Sequence, residues 1–99
     1  MRLVAFDMPW KEVVQSSPGI IIIRSEDCPH CVELEAQLEY HEVDAPVIWI
    51  DQKNAEDIFQ QFPVFSGSVD VLPFAGIFSK GKCVNTVRAA TIKRLKDAL

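Results

Sequence analysis

Read from the first residue, the chain alternates between strand-like and helix-like spacing of its apolar positions. LVAF at 3–6 reads as a short strand, and Pro9 then opens an amphipathic stretch, WKEVVQSS, which Pro18-Gly19 punctuates. GIIIIR at 19–24 is a β-branched run with no polar alternation, the pattern of a strand buried on both faces. From Cys28 the period becomes helical. Cys31, Leu34, Leu38 and His41 share one face, and Glu33, Glu35 and Glu39 are mostly turned away from it. Asp44-Ala45-Pro46 breaks that helix, and PVIWID follows as a second central strand. NAEDIFQQF reads as a short helix with Ile58, Phe59 and Phe62 on its apolar side and Asn54 as its cap. FPVFSGSVD is an irregular link. PFAGIF at 73–78 is a strand, Lys80-Gly81 makes a hairpin turn, and KCVNTV returns as its partner. The tail ATIKRLKDAL, with Ile92, Leu95 and Leu99 in a stripe, closes the chain as a helix.

The resulting order is βαβαβαββα. Strands separated by helices suit parallel crossovers, and the last two, joined by a tight turn, pair antiparallel. The expected fold is therefore α/β: a mixed central sheet flanked by helices on both faces. At 99 residues the chain is one domain, 1–99, without repeats or linkers. With 48% hydrophobic residues it can bury a core without a covalent staple, which mainly rescues far shorter chains.

Charge narrows the partners. Ten basic and fourteen acidic side chains give a formal charge of −4, and no basic footprint for nucleic acid stands out. The nearest cluster, Lys93, Arg94 and Lys96, reads as a cationic last helical turn that complements the helix dipole. No apolar run approaches the roughly 20 residues that span a bilayer. The opening MRLVAFDMPW lacks the pattern of a signal peptide, since Asp7 follows the apolar stretch at once. The expectation is a cytoplasmic, monomeric protein without a nucleic-acid or membrane partner.

Three cysteines are an odd number, which argues against a closed structural disulfide framework. Two of them fall in SEDCPHCVELEAQLEYH, positions 25–41, at a strand-to-helix junction. A sulfur at Cys28 would sit against the unpaired N–H groups of the first turn, which stabilise an anion. Such a setting lowers a thiol pKa by one to several units from about 8.5. Pro29 suits the first helical position, and Cys31 follows one turn later, directed back toward Cys28 and into the core. His30 is a possible cation beside the sulfur, whereas Glu26, Asp27 and Glu33 act in the opposite sense. Asp27 also competes for the helix-terminal N–H groups. A zinc site of Cys28, Cys31, His41 and Cys83 is the rival reading. It has against it one CxxC rather than two, and a His41 roughly 15 Å along the helix from Cys31. Cys83 reads as a small buried hydrophobe, His41 as a partly buried helix residue, and Trp10 and Trp49 as packing.

CPHC at a strand–helix turn, in this element order, resembles the thioredoxin superfamily, and the likeness runs over nearly the whole chain. VIWIDQKN and VLPFAGIFSKGKCVNTVRAATIKRLKDAL resemble later parts of the same fold. The resemblance implies a cis proline at Pro73 facing the CxxC, with the backbone of Leu72 pairing to an extended substrate segment. There are departures. Asp27 precedes the motif where a tryptophan is usual, and the family's buried acid and its lysine partner fall on Ile22 and Val47. A glycine near the last hairpin is replaced by Arg88. CPHC itself is similar to periplasmic disulfide oxidases, but their helical insertion is absent. The glutaredoxin signatures for glutathione are absent too.

The function this implies is dithiol–disulfide exchange with protein disulfides, acting as a reductant. Cys28 is the nucleophile, Cys31 the resolving thiol, Pro29 and His30 tune the potential, and Leu72 and Pro73 hold the substrate. No cofactor is required beyond the redox-active Cys28–Cys31 pair, and a separate reductase recycles it. The alternatives are a binding subunit that uses the scaffold with incidental cysteines, or the zinc module.

Overall fold

The computed structural model describes residues 10–38, 45–63, 65 and 72–99, together with the backbone of 3–5. Within these, the chain runs β1 (Leu3–Ala5), α1 (Trp10–Val14), β2 (Gly19–Arg24), α2 (Pro29–Leu38), β3 (Pro46–Asp51), α3 (Glu56–Gln61), β4 (Phe74–Ser79), β5 (Lys82–Val87) and α4 (Ile92–Ala98). The strands form one five-stranded sheet in the order β1-β3-β2-β4-β5. β3 pairs parallel to both β1 and β2, while β4 pairs antiparallel to β2 and to β5. This is the mixed α/β sheet that the element order implies.

The run of isoleucines explains why β2 lies at the centre. Ile20 and Ile22 join Leu34 and Leu38 of α2, Leu95 of α4, Val47 and Trp49 in one apolar cluster. Ile21 and Ile23 join Val13 and Val14 of α1, Ile58 of α3, Phe65, Phe74 and Phe78 in the other. All four isoleucines are fully buried. A strand whose successive side chains alternate between faces can bury every one only if helices cover both sides.

Several local details differ from the sequence expectation. α1 stops at Val14, and the chain turns through Ser16, whose N–H donates to the Val13 carbonyl at 3.0 Å, into a cis Ser17–Pro18 bond. Asn54 does not cap α3. It ends a single 3-10 turn, Gln52–Asn54, and the helix begins after Ala55, which has no side-chain cap. The small Ala55 is buried against the core there, a position that asparagine's polar amide would not occupy without a partner. β4 begins at Phe74, one residue after Pro73, and runs to Ser79. Leu99 is 45% exposed, so the buried stripe of α4 is Leu95 with Ile92 and Ala98 packed beside it. Glu35 is half-buried rather than turned away, and its carboxylate lies 3.8 Å from the Arg24 guanidinium. The Lys93, Arg94, Lys96 trio does not form a cationic last turn either. α4 starts at Ile92, which puts Lys93 and Arg94 in its first turn and leaves only Lys96 in its last. His41 and Glu39 lie outside the described residues.

The hairpin follows the expected turn chemistry. Lys80 and Gly81 take φ of 53° and 86°, the two left-handed residues that a tight two-residue hairpin requires. Gly76, in the middle of β4, is needed for a different reason. A Cβ there would come within 2.5 Å of the Phe65 ring, which stacks with Phe78. Gly76→Ala is therefore expected to destabilise the fold by about 1–3 kcal/mol through overpacking, measured as a lowered urea midpoint at unchanged slope. An unchanged midpoint would mean that the Phe65 ring can move aside.

Candidate active site

The C-terminal end of β2 and the start of β4 lie side by side because of their antiparallel register. Ile23 is opposite Phe74, so the chain leaving β2 toward Cys28 passes the segment that enters β4 through Pro73. The Leu72–Pro73 peptide bond is cis. Pro73 is buried, and its carbonyl accepts a 2.8 Å hydrogen bond from the Ala90 N–H, which ties the loop before α4 to the same end of the sheet. Leu72 is half-buried against the apolar cluster under α1 and α3. Its main chain makes no hydrogen bond among the described residues.

Cys28 and Cys31 form a disulfide with their Cα atoms 5.2 Å apart. α2 begins at Pro29, so Cys28 occupies the capping position and Cys31 the third helical one. The Cys28 Sγ accepts a hydrogen bond from the Cys31 N–H at 3.1 Å. A Ser or Asp cap would use its side-chain oxygen in the same way, and here sulfur takes the role. The Cys28 carbonyl also accepts from the N–H groups of Cys31 and Val32, at 3.1 and 3.3 Å. Asp27, which competes for this position on sequence grounds, is exposed outside the helix start. Pro29 supplies no N–H, which is no loss at the first helical position.

The two sulfurs differ in access. Cys31 is fully buried and Cys28 is 9% exposed, while Pro29 and His30 stand exposed at the rim. Beneath α2 the core is apolar throughout. Ile22 and Val47 are fully buried in the cluster that holds Leu34 and Leu38, and no polar or charged residue is buried among the described residues. Charge is confined to the rim. Glu26 pairs with Lys53 at 2.8 Å, and this hydrogen bond and charge hold the Glu26 carboxyl below its ordinary range and the Lys53 ammonium above its own. Arg24 stands 3.9 Å from Asp51, its register partner on β3, as well as near Glu35.

Cys83 is not brought to this pair. It lies on β5, half-buried against the cluster under α1 and α3, and its thiol donates to the Asn85 carbonyl at 3.5 Å. Burial pushes that thiol's pKa up. Among the described residues no three His, Cys, Asp or Glu side chains are grouped to hold a metal, and the His41 of the zinc reading lies outside them. What sequence reasoning missed is the loop 88–91. Ala89 takes a left-handed φ of 49°, and Ala90, Thr91 and Arg94 line a cleft with His30 and Pro73. Alanine carries no signal for a left-handed backbone, and the cleft exists only once α4 has docked.

The sheet order, the parallel β1-β3-β2 half, the antiparallel β4-β5 hairpin and the paired helices define the thioredoxin fold, here with a CxxC disulfide at the start of its second helix. Among solved structures the chain is similar to a mutant thioredoxin from Halobacterium salinarum NRC-1, at a TM-score of 0.72 and 21% sequence identity over 97% of this chain and 85% of that one. No family model and no curated protein matches the sequence.

The capping role of sulfur can be tested apart from any exchange chemistry. Under reducing conditions Cys28→Ala is expected to be less stable than Cys28→Ser by about 1 kcal/mol in urea unfolding, because serine restores an acceptor for the Cys31 N–H. Equal stability would remove the cap. Burial of Cys83 predicts a second outcome. In the reduced protein at pH 7–8, iodoacetamide should modify Cys28, at the helix N-terminus, before Cys83, whose thiol pKa burial raises, read by peptide mass spectrometry over time. Prompt labelling of Cys83 would contradict it.

Proposed function

We propose that this protein is a thiol–disulfide oxidoreductase that reduces disulfides of other proteins through Cys28 and Cys31. The observation that carries the reading is the placement of Cys28 Sγ at the N-terminus of α2, hydrogen-bonded by the Cys31 N–H, with Cys31 one turn inward as its disulfide partner. In the dithiol form the same N–H and the helix dipole support a Cys28 thiolate. That thiolate attacks one sulfur of a substrate disulfide. A Cys28–substrate disulfide forms, the substrate S–S bond breaks, and the leaving thiolate takes up a proton. Cys31, as thiolate, then attacks Cys28 Sγ. The Cys28–Cys31 bond closes, the second substrate sulfur leaves and is protonated, and two electrons have passed to the substrate.

With Ile22 and Val47 in the core beneath α2, the Cys31 proton leaves toward the rim rather than to a buried carboxylate. The main chain of Leu72, which makes no hydrogen bond among the described residues and lies beside the cis Pro73, is suited to hold an extended substrate segment strand-to-strand. Pro29 and His30 stand where they can tune the potential. The reductant direction is supported by Glu26, Asp27 and Glu33 around the pair. Negative charge disfavours accumulation of thiolate and so favours the disulfide, which makes the dithiol the better electron donor. Lys53 offsets part of this at Glu26. A reductant of this kind works as a monomer in the cytoplasm and is recycled by a separate reductase. It needs no bound cofactor. No described helix is long and apolar enough to cross a membrane.

Cys28→Ser should abolish reduction of a protein disulfide, while Cys31→Ser should accumulate a substrate adduct that migrates as a larger band on a non-reducing gel and collapses on adding dithiothreitol. Full activity of Cys28→Ser would exclude Cys28 as the nucleophile. A reduction potential of the pair below the cytosolic glutathione poise, about −220 to −320 mV, would establish the reductant, and one well above it would make the protein an oxidant.

A further inference from the structure

A cleft that begins at His30, between the two cysteines, runs along α2 and is lined also by Glu33, Gln37, Pro73, Thr91 and Arg94, with a volume of about 430 Å³. Its cationic end is unusual. Arg94 lies in the first turn of α4, the end of a helix at which the macrodipole opposes positive charge. Its neighbour Lys93 is compensated by Asp97 at 2.9 Å. Arg94 has no carboxylate within 4.0 Å among the described residues. Instead its Nη1 donates to the Arg88 carbonyl at 3.0 Å. That bond orients the planar guanidinium of this lining residue and leaves further N–H donors for a bidentate partner.

Arg88 is exposed and shares with Arg94 the depression that adjoins the cleft. The loop that carries Arg88 turns at Ala89, a non-glycine residue with φ of 49°, and is held to Pro73 through the Ala90 N–H. The Arg88 backbone and the Arg94 guanidinium bonded to it are thereby held near the segment beside the disulfide, and the Arg88 side chain extends from the same loop into solvent. The cleft's own carboxylate, Glu33, has Gln37 at 3.5 Å. The geometry points to a specificity subsite: Arg94, assisted by Arg88, receives an acidic side chain of the substrate polypeptide. This inference rests on the exchange reading above. From His30 to Gln37 the cleft follows about 10 Å of helix, the length of about three extended residues. The preferred substrate carries Asp or Glu two or three residues from its reactive cysteine.

The test uses the reduced full-length protein and short peptides whose single cysteine is disulfide-linked to thionitrobenzoate. Asp, Ala or Lys is placed two and three residues to either side, and release of the chromophore is followed. The Asp peptide on one side should react about fivefold to tenfold faster than its Lys counterpart, a ratio that shrinks as salt is raised. Arg94→Gln and Arg88→Gln should each bring the ratio toward one. Lys11→Gln, the same charge change on the helix across the sheet, should leave it. Two results overturn the subsite: a ratio unaffected in both arginine variants, or an equal loss in all three variants, which would mark net charge alone.

Glutathione mixed disulfides of the Ala peptide form a further arm. If they lose rate in Arg94→Gln while the Asp-to-Lys ratio stays, the guanidinium serves a small-molecule carboxylate and the inference is wrong. If no peptide is reduced, the exchange reading fails, and serine-for-cysteine versions of the peptides, labelled for fluorescence anisotropy, decide the subsite alone. Tighter binding of the Asp form that weakens about fivefold in Arg94→Gln supports it, and equal binding of the Asp and Lys forms overturns it.

Discussion

Four consecutive isoleucines can leave water together only in a strand that is covered on both faces, and Ile20–Ile23 place β2 in that position. Their burial is worth on the order of 10 kcal/mol before conformational entropy is counted, more than local propensities contribute. The remaining architecture follows from satisfying it. α2 and α4 supply Leu34, Leu38 and Leu95 to one face, and α1 and α3 supply Val13, Val14 and Ile58 to the other. With β3 parallel on one side of β2 and β4 antiparallel on the other, the carboxyl end of β2 is held beside the amino end of β4.

That juxtaposition makes the site. The chain leaving β2 must reverse into α2, and the reversal puts Cys28 at the helix N-terminus. The register that sets Ile23 opposite Phe74 brings Pro73 alongside. The Ala90–Pro73 hydrogen bond then recruits the loop before α4. Three segments distant in sequence, 25–31, 72–73 and 88–94, therefore meet at one end of the sheet, the first two placed by the β2–β4 register and the third tied on through the Ala90–Pro73 hydrogen bond.

The price of so apolar a core is that electrostatics is left to the surface. The residues beneath α2 are the apolar Ile22 and Val47, so the charged groups near the disulfide lie on the rim: His30, Glu33, Asp27 and the Glu26–Lys53 pair. Rim charges are screened by solvent and salt, which makes them weak determinants of stability but suitable determinants of encounter and selectivity. Arg94 belongs to this layer.

Much of this was legible in residue order. The period-two and period-3.6 runs, the Lys80-Gly81 turn and CPHC at a strand–helix junction are local patterns with local causes, and they specify the element order, the central strands and the paired cysteines. Resemblance added the expectation of a proline beside them. Details set by neighbours were not legible. Asn54 lost the capping position because burial of Ala55 shifts the helix start, and Lys93 and Arg94 moved from the last turn of α4 to its first because Thr91 caps it, accepting from the Arg94 N–H at 3.2 Å. The left-handed Ala89 and the cleft between α2 and α4 come from docking. The sequence by itself determined which segments would be strands and helices and which two sulfurs could pair, because those depend on spacing along the chain. Only the tertiary structure decided what faces the sulfurs, because that depends on sheet register and helix docking between segments up to about sixty residues apart.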